Sequence, residues 1–113
     1  LNIAYNSAIT DEAIIQLIQK NGANLRILNA SGCLLTEKSF QALVLNCPNL
    51  EELSLWRLDQ GEKLFSGIAK FKKIQKISLN GCQLTNKSAK AFLRFCLNVQ
   101  ELDLSECNIT DVE

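Results

Sequence analysis

Five cysteines, at positions 33, 47, 82, 96 and 107, are the first residues of this 113-residue chain to weigh for chemistry. A zinc site needs four convergent ligands, and a dithiol redox centre needs two thiols close in sequence. No Cys-x-x-Cys pair occurs, and the chain has no histidine. The intervals are long and repeated instead: 49 residues separate Cys33 from Cys82 and Cys47 from Cys96, and 25 separate Cys82 from Cys107. Thiols placed that way occupy equivalent slots of a repeating structure, where a small side chain packs below a strand and donates weakly to a neighbouring loop carbonyl. Cys82 and Cys107 would then lie about one strand spacing (~4.8 Å) apart, which disulfide geometry does not forbid. Unpaired thiols in odd number fit a reducing compartment, the cytoplasm first, with nucleus or cilium as other settings.

Catalysis finds little footing. The commonest general base is missing, and the carboxylates fall on exposed positions with nothing in the sequence to raise their pKa values. Neither phosphate-binding glycine pattern is present; Gly32 and Gly81 precede Cys33 and Cys82 as turn glycines in matching slots. No enzyme activity, metal or cofactor is expected. Lys70, Lys72, Lys73 and Lys76 surround Phe71 and Ile74, and a basic patch with an interleaved aromatic can bind nucleic acid. Both apolar residues fall at core positions of the repeat described next, so a solvated lysine-rich loop is the expectation. Twelve basic and twelve acidic side chains cancel, leaving no global field toward nucleic acid or an anionic membrane. No apolar run nears the ~18 residues of a membrane span.

The elements that position these residues recur along the chain. Leu50-Glu51-Glu52-Leu53-Ser54-Leu55 returns as Ile74-Gln75-Lys76-Ile77-Ser78-Leu79 and as Val99-Gln100-Glu101-Leu102-Asp103-Leu104, foreshadowed by Leu25-Arg26-Ile27-Leu28-Asn29-Ala30. Units start at 25, 50, 74 and 99, and a period of this size marks a stacked array. Within each unit, apolar residues alternate first, as Leu53-x-Leu55 and Ile77-x-Leu79 do, which predicts a strand with one buried face. Ile9-Thr10, Leu35-Thr36, Leu84-Thr85 and Ile109-Thr110 follow, with the threonines as helix N-caps. Helical spacing comes next: Phe40, Leu43, Val44 and Cys47 in one unit, Ala89, Phe92, Leu93 and Cys96 in another. The third unit departs from this pattern, with Leu58-Asp59-Gln60-Gly61 in place of cysteine and cap and with Gly67 where Leu43 and Phe92 stand elsewhere. A shorter or looser helix is expected there. Residues 1–113 read as a single array, a section of a longer solenoid.

The pattern resembles the cysteine-containing leucine-rich repeats of F-box leucine-rich-repeat proteins. Ile74-x-x-Ile77-x-Leu79-x-x-Cys82-x-Leu84-Thr85 and Val99-x-x-Leu102-x-Leu104-x-x-Cys107-x-Ile109-Thr110 carry the likeness, with Cys47 and Cys96 as second cysteines. The resemblance implies an α/β leucine-rich-repeat solenoid of about four to five units, a horseshoe with a parallel sheet on its concave face and helices on the convex one. It further implies a protein-interaction module, first as the substrate-recognition repeats of an F-box-type ubiquitin-ligase receptor. A structural scaffold, like the leucine-rich-repeat subunits of the ciliary dynein regulatory complex, is the alternative. An enzyme regulator, either an inhibitor or a GTPase activator, is a third reading, disfavoured because those families use repeats of ~28 residues.

Residues between the strand leucines should point outward and meet a protein partner. They are Tyr5 in the first unit, Asn29 and Ser31 in the second, and Glu52, Ser54, Trp56 and Arg57 in the third. Lys76, Ser78 and Asn80 follow in the fourth, then Glu101, Asp103 and Ser105 in the fifth. Trp56 with Arg57 is the leading candidate, because Trp and Arg are enriched at binding hot spots. The competing role for Trp56 is to cover the irregular third unit. Glu101, Asp103 and Glu106 make the last unit acidic, which suits either a basic partner or plain solvent.

Overall fold

The computed structural model describes residues 2–4, 9–33, 35–56, 62–104 and 107–110. Helices and strands alternate: α1 (Asp11–Asn21), β1 (Ile27–Asn29), α2 (Glu37–Asn46), β2 (Glu52–Trp56), α3 (Glu62–Ile68), β3 (Lys76–Asn80), β4 (Gln83–Thr85), α4 (Asn86–Phe95), β5 (Glu101–Asp103) and β6 (Asn108–Thr110). A helix in each connection lets successive strands run the same way. β1, β2, β3 and β5 accordingly form one parallel sheet in that order. Leu28, Leu53, Ile77 and Leu102 are successive rungs, as the repeat requires. Asn2 bridges Asn29 in parallel, so the segment before α1 approaches the same edge.

Each unit is tied to the previous one before its strand begins. The Arg26 carbonyl accepts from the amides of Glu51 and Glu52, that of Glu51 from Gln75 and Lys76, and that of Gln75 from Gln100 and Glu101. The core lies between sheet and helices. Leu28, Leu53, Leu55, Ile77 and Leu79 contribute from the strands, and Ile14, Ile18, Leu43, Leu64 and Ile68 from the helices; all are at most 1% exposed. Each such side chain contributes about 1.5–3 kcal/mol by leaving water.

Three of the four expected threonine caps form, and the residues after Thr110 lie outside the described ones. Thr10, Thr36 and Thr85 are extended, and their side chains accept from the amides of Ala13, Lys38 and Ser88. Asp11 adds a clasp between units that no spacing announced. Its carboxylate accepts from the Thr36 amide at 2.9 Å, from the Thr36 hydroxyl at 2.6 Å and from the Ser39 hydroxyl, joining the starts of α1 and α2. Gly32 and Gly81 have φ of 78° and 69°, so both turns need the left-handed conformation that glycine adopts without strain.

Three expectations are corrected. Counted from the strand before it, α3 buries Leu64 and Ile68 as α2 buries Ser39 and Leu43. Gly67 therefore matches Ala42 and Ala91, not Leu43 and Phe92, because one residue is missing after Ile68 rather than before it. A Cβ on Gly67 would come within 2.5 Å of the Phe40 ring, so the missing side chain is what admits that ring. In α4 the inward residues are Ser88, Ala91 and Cys96, while Ala89 is exposed and Leu93 is 72% exposed. Of the expected set, Phe92 and Cys96 pack on the core, whereas Ala89 and Leu93 do not. Finally, Gln83–Thr85 and Asn108–Thr110 pair as a second parallel sheet where only turn and cap were expected. A threonine cap is already extended (Thr85 φ −115°, ψ 171°), so segments one unit apart can pair. Among the described residues the third helix spans 7, against 10 or 11 in the other three.

The cysteines are structural. All five are free thiols, so Cys82 and Cys107 are not joined. Cys33 and Cys107 donate to the carbonyls of Ile3 and Leu79, each in the preceding unit. Cys96 donates to the Phe65 carbonyl at 3.5 Å. Burial pushes the Cys47 and Cys96 thiols up to about 11, which removes the thiolate needed for reactivity.

Candidate functional site

Parallel register turns the outward residues of the sheet into columns. One column is Ile27, Glu52, Lys76 and Glu101, and the next is Asn29, Ser54, Ser78 and Asp103. A third pairs Trp56 with Asn80, and Ser31 lies alongside, two residues beyond Asn29. The Asn80 side-chain amide donates to the Ser31 hydroxyl at 3.3 Å across the intervening strand that carries Trp56. Trp56 is half-buried on this face rather than sunk in the core. The Asn29 carboxamide accepts from the Ser31 amide at 3.1 Å, fixing the turn that sets the third column.

Charge alternates along the first column. Lys76 meets Glu101 at 3.1 Å, and Glu52 lies on its other side. The hydrogen bond to Glu101, then its charge, raises the Lys76 ammonium above its ordinary value. A parallel pair, Arg26 and Glu51 at 3.6 Å, lies just outside the sheet. Both pairs are solvent-exposed, so they orient side chains more than they stabilise the fold.

The expected site residues do not all offer surface. Asn29, Glu52, Ser54, Trp56, Lys76 and Asn80 are half-buried, and Glu101 and Asp103 are exposed. Ser31 and Ser78 are corrected to buried, at 7% and 8% exposure: a small hydroxyl between longer neighbours is shaded by them, as Asn80 shades Ser31. Tyr5, Arg57 and Ser105, with Glu106, lie outside the described residues. Ile27, at 50% exposure, is an apolar member of the face that its strand alternation predicts. Among the described residues no Cys, Asp and Glu group is arranged to hold a metal, and no helix is long and apolar enough to cross a membrane.

A second concavity lies on the helix side. A groove of about 380 Å³ separates α2 from α3, lined by Phe40, Val44, Leu45, Ser66, Gly67 and Lys70. Gly67 lines it beside the Phe40 ring that takes the place of its side chain.

Residues 95–112, from the last turn of α4 through β5 and β6, match the leucine-rich repeat family. The match supports a leucine-rich repeat there, and the in-register strands before it fit a leucine-rich-repeat-like fold of parallel sheet and helices. Leucine-rich repeats generally bind other proteins, so the match suggests a protein-interaction module. No curated protein matches the chain.

Proposed function

We propose that the outward columns of the sheet are the binding wall, the inner side of a horseshoe, and that they hold the substrate of an F-box-type ubiquitin-ligase receptor. The curvature follows from widths: helices pack ~8–10 Å apart and strands ~4.8 Å, so stacked units close toward the strands. The carrying observation is the unbroken register of β1, β2, β3 and β5, which aligns side chains from four units on one surface. Trp56 is the anchor in this reading, flanked by hydrogen-bonding Ser54 and Asn80 and by the charged column of Glu52, Lys76 and Glu101. Recognition needs no catalytic residue and no cofactor, and free thiols suit a cytoplasmic setting.

Affinity capture with the wild-type chain and with Trp56→Ala plus Arg57→Ala, quantified by mass spectrometry, tests the wall. Loss of partners by the double variant supports it, and equal recovery sinks it. Ligase core subunits among the partners of the longest natural polypeptide containing this chain would support the receptor role. A set of cytoskeletal subunits in their place would move the assignment to a scaffold.

A further inference from the structure

At the edge where helices end and strands begin, equivalent positions of successive units line up. Lys20, Leu45, Lys70 and Arg94 occupy one such row, at intervals of 25, 25 and 24 residues, and all are exposed. Ala23, Pro48, Lys72 and Leu97 form the row beside it, also exposed. Lys73 follows Lys72 on the same turn.

The turns are laced together. The Asn49 side chain donates to the Ala23 carbonyl at 2.8 Å and accepts from the Lys73 ammonium at 3.0 Å, so three consecutive turns sit side by side. Neither row contains a carboxylate. Glu51 and Glu101 are matched by Arg26 and Lys76, and Glu37 lines the same groove as Lys70 without an ion pair to it. Among the described residues, no carboxylate pairs with Lys20, Lys70, Lys72, Lys73 or Arg94. Between these cations stand Leu45 and Leu97, each 81% exposed.

We infer that this edge docks on an anionic phospholipid surface, its leucines entering the headgroup boundary and its lysines meeting lipid phosphates and carboxylates. Cations on three of the four turns, with three consecutive turns linked through Asn49, suit an extended surface. Apolar tips between them supply what a plane of lipid accepts and a phosphate backbone does not. Single-stranded nucleic acid would want exposed rings to stack on, whereas Phe71, the aromatic among these lysines, is 2% exposed. The inference is independent of the sheet face, which lies around the corner from these turns.

The test is sedimentation of the full chain with phosphatidylserine-containing vesicles and with pure phosphatidylcholine vesicles. Binding should need the anionic lipid and fade with salt, as the screening length falls toward ~3 Å at 1 M. Replacing the three lysines (Lys70→Gln, Lys72→Gln, Lys73→Gln) should weaken binding about a hundredfold. Leu45→Ser with Leu97→Ser should weaken it about tenfold while leaving the salt dependence intact. All five sites are exposed, and circular dichroism confirms that the variants fold. Absence of phosphatidylserine-dependent binding overturns the inference. So does binding indifferent to the leucines, or tighter binding to polyuridine or polyglutamate than to vesicles, since each reduces the edge to a general polyanion site.

Discussion

Gly22→Ala sets local propensity against packing with opposite signs. Gly22 closes α1 with φ −59° and ψ −34°, ordinary right-handed values that any residue adopts. On backbone grounds alone, alanine should stabilise the protein by about 0.4–1 kcal/mol through reduced freedom of the unfolded chain. Space says otherwise. A Cβ at this position would overlap the carbonyl oxygen of Asn46, with the carbonyl carbon 3.1 Å away. That obstacle is main chain in the last turn of α2, and it cannot swing aside as a side-chain tip would. Overpacking typically costs about 1–3 kcal/mol, so the net expectation is a loss of about 1–2 kcal/mol. For a chain of this size that lowers Tm by about 4–10 °C. Thermal and urea unfolding followed by circular dichroism measure it. A companion, Gly67→Ala, meets the movable Phe40 ring instead, at 2.5 and 2.8 Å, and its cost should shrink when Phe40→Leu is added. A Gly22→Ala protein as stable as wild type or more so would refute the argument that α1 and α2 approach through this glycine.

The other expectations concern the clasp, the thiols and the strand alternation. Burial alone would raise the Asp11 carboxyl, but hydrogen bonds from Ser39 and Thr36 hold it below its ordinary 3.8. Its contribution is therefore complete above that value and is lost as pH falls through the lower folded one. Asp11→Ala should cost about 1–3 kcal/mol at neutral pH and flatten the acid side of a stability-versus-pH curve; an unchanged acid limb would count against the clasp. Under native conditions iodoacetamide should modify the half-buried Cys107 before Cys47 and Cys96, which are buried and pushed up to about 11. Peptide mass spectrometry during labelling reads the order. Leu53→Ala should cost about 3–5 kcal/mol, whereas Ser54→Ala, one residue on and facing outward, should stay within ~0.5 kcal/mol; equal effects in denaturant melts would contradict the one-sided strand.

Much of the fold was readable because a repeat states the same rule several times. The Leu28, Leu53, Ile77 and Leu102 rungs, the three threonine caps and the carbonyl-bound thiols all follow from equivalent positions facing equivalent neighbours. What escaped was set by pairs of units rather than by one. Gly67 looked like a defect in a single helix, but only the Phe40 ring from the preceding unit explains it. Leu93 fits a helical stripe by spacing, yet the Ser88 and Ala91 side of α4 is the one that turns inward. The Asp11 clasp has no periodic partner, so no pattern announced it. On the sheet face the columns were legible from alternation alone. The shading of Ser31 by Asn80 was not, because it depends on reach across an intervening strand.

The groove between α2 and α3 divides the helix layer unevenly. α1 leans on α2 and α3 on α4 across broad contacts, while α2 and α3 meet over a narrower one at Phe40 and Gly67. The sheet, by contrast, passes through all four units without a gap. The helix layer is thus two close couples joined along a single continuous sheet, with the Phe40–Gly67 seam as the narrower contact between them. Rotation there would shift Asn29 and Ser31, beside β1, against Ser54 and Trp56 on β2. A guest that rests on both strands at once feels that motion as a change in the width of its cradle.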